Sequence, residues 1–166
     1  MSEAVFKPKT VYVTYIVTTP EKLWAALTDA AFTKQYFFGR RVESDWSAGS
    51  AVTYRMEDGR PDVYGKVLQC QPPRLLSFTW NVEWREDHAT HLGKSLDELR
   101  RLPECSVTFQ LDDLGEVVRL TMTESHQLDP DESLLEGGRR GWPVILSGLK
   151  SLLETGHALP PFSMNK

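Results

Sequence analysis

The segment GRRGWPVILSGLKSLLETG, residues 138–156, constrains this chain more than any other. It is the longest stretch with helical periodicity. Trp142, Ile145, Leu146, Leu149, Leu152 and Leu153 recur at i, i+3, i+4 and i+7 and form one apolar stripe. A helix of this kind must bury its stripe against another layer. Pro143 fits a regular helix that begins near Gly141, because its missing N–H would otherwise break a bond to Arg139. Gly148, off the stripe by phase, leaves room for a neighbouring element.

Most of the chain before this helix alternates with period two. Residues 10–17, TVYVTYIV, read as a strand, and further strands are predicted at 41–46, 50–57, 62–70, 75–84, 105–112 and 116–126. Ala48-Gly49, Asp58-Gly59, Pro72-Pro73 and Asp112–Gly115 supply the turns. Short turns between consecutive strands imply an antiparallel meander. Between the first two strands, Thr19 and Pro20 open one short helix and Ala30–Tyr36 makes a second. Asp129, with Glu132 three residues on, has the spacing of a capping box for a helix that Gly137-Gly138 then interrupts. The predicted architecture is α+β: a curved antiparallel sheet of about six to seven strands wrapped around a long C-terminal helix. The domain spans 10–156, after an N-terminal segment 1–9 and before a loose tail 157–166. An insertion at 85–104 contains the capping pattern Ser95–Glu98 and reads either as a lid or as a decorated loop.

With 166 residues and 40% apolar composition the chain can build one substantial core. A net charge of −4 without a basic stripe argues against nucleic acid and anionic membranes as partners. No apolar run approaches a membrane span, and the start MSEAVFKPKT lacks signal-peptide features. Cys70 and Cys105 show no C-x-x-C spacing and read as small buried hydrophobes, so a reducing, cytoplasmic setting is expected.

Three stretches carry a family resemblance. TTPEKLWAALTDAAFTKQYF, QPPRLLSFTW and GWPVILSGLKSLLETG resemble, in order, the three signatures of the activator of heat-shock-protein-90 ATPase homologue family. That family belongs to the START-related, helix-grip (SRPBCC) superfamily. The resemblance covers about residues 10–156 and is to a free-standing, single-domain member. It implies a hydrophobic cavity between sheet and C-terminal helix, used by relatives for apolar small molecules. The function it implies here is binding of an apolar or aromatic small molecule, with a stress-related setting. A chaperone cofactor and a cyclase- or hydrolase-like enzyme are the alternatives. It implies no cofactor, and a monomer or homodimer.

Strand parity then nominates the residues facing the helix: Tyr54 and Met56; Phe78, Trp80, Val82 and Trp84; Val107 and Phe109; Leu120 and Met122. From the helix come Trp142, Ile145 and Leu149. These residues either fill a core or line a pocket. The same parity carries Glu124 and His126 to the apolar side, near one mouth of the space. There they orient a polar ligand group or act as an acid/base pair, with Tyr54 as a third candidate; solvent exposure at the strand end is the opposing reading. His88 and His91, beside Glu86 and Asp87, lack a third ligand at recognisable spacing, and no metal is expected. Gly137–Arg140 lacks the context of a phosphate loop.

Overall fold

Seven runs rich in β-branched and aromatic residues, joined mostly by tight turns, pair into a single sheet in the computed structural model, which describes residues 5–164. In chain order the elements are β1 (Lys7–Ile16), α1 (Pro20–Thr28), α2 (Ala30–Tyr36), β2 (Arg41–Ser44), β3 (Ala51–Arg55) and β4 (Pro61–Gln71). Then follow β5 (Leu75–Val82), α3 (Glu86–Leu92), α4 (Leu96–Arg100), β6 (Cys105–Asp113), β7 (Val118–His126) and α5 (Glu132–Thr155). The sheet order is β1-β7-β6-β5-β4-β3-β2, and every neighbouring pair is antiparallel. Apart from β1, the strands form a meander. β1 instead pairs with β7, running from Lys7 opposite His126 to Ile16 opposite Val118.

The helical α1–α2 pair starts as its sequence dictates. Thr19 Oγ1 accepts from Lys22 N–H at 3.2 Å, and Asp29 Oδ1 accepts from Ala31 N–H at 2.8 Å. The core joins inward residues of the sheet, among them Val52, Leu76, Val107, Leu120 and Met122, to Trp142, Ile145, Leu146, Leu149 and Leu152 of α5. Gly148 is buried, and a Cβ there would lie 3.2 Å from Tyr36 Cβ, so α5 and α2 approach closely at this residue. Tyr36 is held in turn by its hydroxyl, which donates to Ala26 O at 2.6 Å.

Several boundaries differ from expectation. β1 starts at Lys7 rather than residue 10, and β5 stops at Val82, so Trp84 lies beyond the strand. β3 stops at Arg55, which leaves Met56 outside it. On β5, Ser77 and Thr79 are buried along with Leu76 and Phe78, so burial there does not alternate. Both hydroxyls are satisfied: Ser77 Oγ and Thr108 Oγ1 are 3.0 Å apart, and Thr79 Oγ1 accepts from Lys66 N–H. The insertion holds two helices, α3 and α4, the second with the expected Ser95–Glu98 capping box.

The largest departure concerns α5. It is one helix of 24 residues, unbroken at Gly137-Gly138 and continuing through Pro143. Its N-cap is Asp131, without a side-chain cap bond, while the expected cap, Asp129, is ion-paired with Lys9. Local propensity loses here to burial. Each helical glycine costs about 1 kcal/mol relative to alanine, but each large side chain buried along the stripe returns about 1.5–3 kcal/mol. Of the N-terminal segment, residues 1–4 lie outside the described residues, as do 165–166 of the tail.

Candidate functional site

The interior divides into a packed half and an open half. In the packed half, aromatic rings meet at tilts: Phe37 and Tyr54 at 4.8 Å between centroids, Tyr54 and Trp80 at 5.3 Å, Phe78 and Phe109 at 6.2 Å. Burial pushes the Tyr54 hydroxyl well above its ordinary range, so Tyr54 stays neutral. Trp80 and Trp142, 5.3 Å apart, form the border.

Beyond that border lies a cavity of about 820 Å³. Its floor is the end of β5 (Trp80 and Val82) with Trp84 just past it. One wall is the first half of α5, presenting Gly137, Gly138, Gly141 and Trp142, with Ile145 just beyond it. The insertion closes the opposite side with His88, Leu92, Leu99 and Leu102. Leu99 is fully buried although α4 is one short turn of surface helix. Two ion pairs tie this cover down: Lys94 to Asp131 at 2.5 Å and Arg85 to Asp62 at 3.4 Å. Asp62 also accepts from Arg40 Nε at 2.5 Å, which joins the cover to the loop after α2.

Three glycines on one helical wall have a direct steric meaning. A Cβ at Gly137 or Gly141 would meet nothing within 4 Å, whereas one at Gly138 would reach 3.2 Å from Glu124 Oε2. Glycine at these positions keeps the wall thin.

The polar end of the cavity sits where β6 and β7 finish. Cys105 stands directly opposite His126, and Glu124 opposite Val107, in the β6–β7 register. All three side chains project to the inner face. His126 Nε2 and Glu124 Oε1 are 3.1 Å apart, a hydrogen bond with the imidazole N–H donating. Both are largely buried, so the strand-end exposure considered for this pair does not occur. Glu124 Oε2 is buried and has no hydrogen-bond partner among the described residues. The Cys105 thiol donates to Trp80 O at 3.2 Å, and burial, followed by the Glu124 charge, pushes its pKa up to about 12. Tyr12, reaching over from β1, donates to Gly138 O at 3.4 Å, and burial raises its hydroxyl too.

The residues nominated from sequence therefore separate. Trp80, Val82, Trp84, Glu124, His126, Trp142 and Ile145 border the cavity. Tyr54, Phe78, Val107, Phe109, Leu120, Met122 and Leu149 belong to the packed core, and Met56 lies at a shallow surface depression with Asp58 and Arg60. Cys105, Phe37 and the α3–α4 side chains border the cavity without having been nominated. Cys105 shares the parity of Val107 and Phe109, which was the available signal. His88 is held locally, its Nδ1 accepting from Arg85 N–H at 3.0 Å.

The family described as "Activator of Hsp90 ATPase homolog 1-like protein" matches residues 17–154. Among solved structures, a Mesorhizobium loti protein is 24% identical, with a TM-score of 0.65 over 87% of this chain and 96% of its own. The Aha1 dimer from Colwellia psychrerythraea is 20% identical, with a TM-score of 0.64 over 92% and 98%. An HSP90 activator from Plasmodium falciparum is 17% identical, with a TM-score of 0.58 over 80% and 86%. These likenesses show the helix-grip fold. No curated protein sequence matches significantly. Among the described residues, no helix is long and apolar enough to cross a membrane.

Proposed function

This chain belongs to the Activator of Hsp90 ATPase homolog 1-like family, and within it we propose a role in binding an apolar or aromatic small molecule between the sheet and α5. The observation that carries this reading is the cavity of about 820 Å³, bordered by Trp80, Trp84 and Trp142 and kept open by glycines. Small-molecule sites run to roughly 300–1,000 Å³, are mostly apolar and hold a few converging polar groups. Here the indole faces supply flat apolar contact, while Glu124 and His126 orient a polar group of the ligand at the polar end.

Anilinonaphthalene sulfonate and a panel of fatty acids and planar aromatics are suitable probes, read by dye emission and tryptophan quenching. Saturable binding is expected, and Gly141→Phe, which projects a ring into empty space, should weaken it at least tenfold while the far-ultraviolet dichroism stays unchanged. Equal binding by the parent and the filled variant would remove the cavity as the site. The alternative partner is a chaperone, favoured by the family itself and by the fold shared with an HSP90 activator. It predicts stimulation of chaperone ATPase at saturating protein. An acid/base enzyme built on Glu124 and His126 would lose turnover in Glu124→Gln. A homodimer is compatible with either role, and sedimentation decides it.

A further inference from the structure

We propose that Cys105, Glu124 and His126 form a three-ligand site for a divalent cation of zinc type, with its fourth position open to the cavity. One sulfur, one carboxylate oxygen and one imidazole nitrogen make a donor set that zinc accepts. Their ligand atoms all lie within 4.8 Å of one another. Tetrahedral zinc with bonds of about 2.0–2.3 Å separates its ligand atoms by about 3.3–3.8 Å. His126 Nε2 and Glu124 Oε1 already stand 3.1 Å apart. The thiol has to swing inward, exchanging its bond to the Trp80 carbonyl for one to the metal, and His126 has to carry its proton on Nδ1, giving up the Nε2 hydrogen bond to Glu124 so that this nitrogen can ligate.

Two observations outside the ligand count point the same way. Glu124 Oε2 is buried with no hydrogen-bond partner among the described residues, a costly arrangement for a carboxylate. A cation at this point gives the carboxylate the partner it lacks. Gly138 supports the geometry from the helix, because a larger residue would press on that same oxygen. Formal charge also closes. Binding releases the Cys105 proton to solvent and leaves the His126 proton on Nδ1, and thiolate, carboxylate and neutral imidazole then balance a doubly charged ion. A neutral assembly is the form that tolerates an apolar surround. Rigid β6–β7 pairing holds Cys105 opposite His126, so the site is carried by strands rather than by a loop. None of this depends on what occupies the rest of the cavity.

The test is titration of the chelator-treated full chain with Co²⁺, followed by Zn²⁺ competition. One equivalent of Co²⁺ should give a sulfur-to-cobalt charge-transfer band with tetrahedral d–d absorption, and Zn²⁺ should bleach both. Cys105→Ser should lose the charge-transfer band, and Cys70→Ser should keep it. His126→Ala should weaken Co²⁺ binding by about tenfold or more, since even residues that merely orient ligands are worth that much. On the unmutated protein, Zn²⁺ should shift amide resonances of β6, β7 and the start of α5, a readout that does not require any variant to fold. Octahedral absorption without charge transfer, a band that survives Cys105→Ser, or Zn²⁺ shifts elsewhere in the protein would each overturn the assignment.

Discussion

At the scale of single residues, glycines set the shape of the interior in opposite ways. Gly65 on β4 faces β5 so closely that a Cβ would sit 1.8 Å from Thr79 O. Backbone cannot yield there without disturbing the β4–β5 pairing. Gly65→Ala should therefore cost about 3 kcal/mol or more, the upper range for overpacking, measured by urea unfolding; a loss below about 1 kcal/mol would contradict the close approach. Gly137 and Gly141 face open space, and substitutions there meet no such barrier. Sequence made Glu124 and His126 legible because a period of two is rigid: once Val118, Leu120 and Met122 point inward, so do they. It did not reveal Cys105, whose small apolar character suggested filler, although its parity with Val107 was readable. Gly65 was not legible, since its contact is with Thr79 of a neighbouring strand and not part of any local pattern.

At the scale of elements, α5 is two devices in one helix. Its second half, around Ile145, Leu149 and Leu152, is a conventional buried stripe. Lys150 Nζ donates to Tyr15 O at 2.6 Å and Glu154 accepts from Val17 N–H at 2.8 Å, which fastens this half to β1. The first half is glycine-rich and fronts the cavity, and the join is Pro143, exposed and lacking the N–H that would bond Arg139 O. Pro143→Ala should restore that bond and stabilise the protein by about 1–3 kcal/mol, seen as a higher thermal midpoint; an unchanged or lower midpoint would mean that the surrounding packing favours proline here. The stripe of the second half was plain from sequence. The helix start was not, because glycine, proline and an attractive but unused cap at Asp129 all signal interruption locally, and only the cover of α3 and α4 and the sheet beneath outweigh them. The α3–α4 cover shows the same limit: its capping box was visible, while the burial of Leu99 at the cavity depends on residues distant in sequence.

At the scale of the whole molecule, the meander was legible because its turns are short and each strand meets its sequence neighbour. The partner of β1 was not, since nothing local ties Lys7–Ile16 to Val118–His126. That pairing has a consequence for biosynthesis. At about 5–20 residues per second, the ribosome releases β1 roughly 5–20 s before β7. Through that interval β1 has neither its sheet partner β7 nor α5, and its Val11, Val13 and Tyr15 side chains, exposed even in the finished fold, offer an adhesive edge. Ribosome-arrested chains should stay protease-sensitive at every length short of β7 and gain protection in one step once α5 clears the exit tunnel. Protection of a chain arrested at Asp113 would refute this order. The first strand made is thus paired only when the last strand emerges.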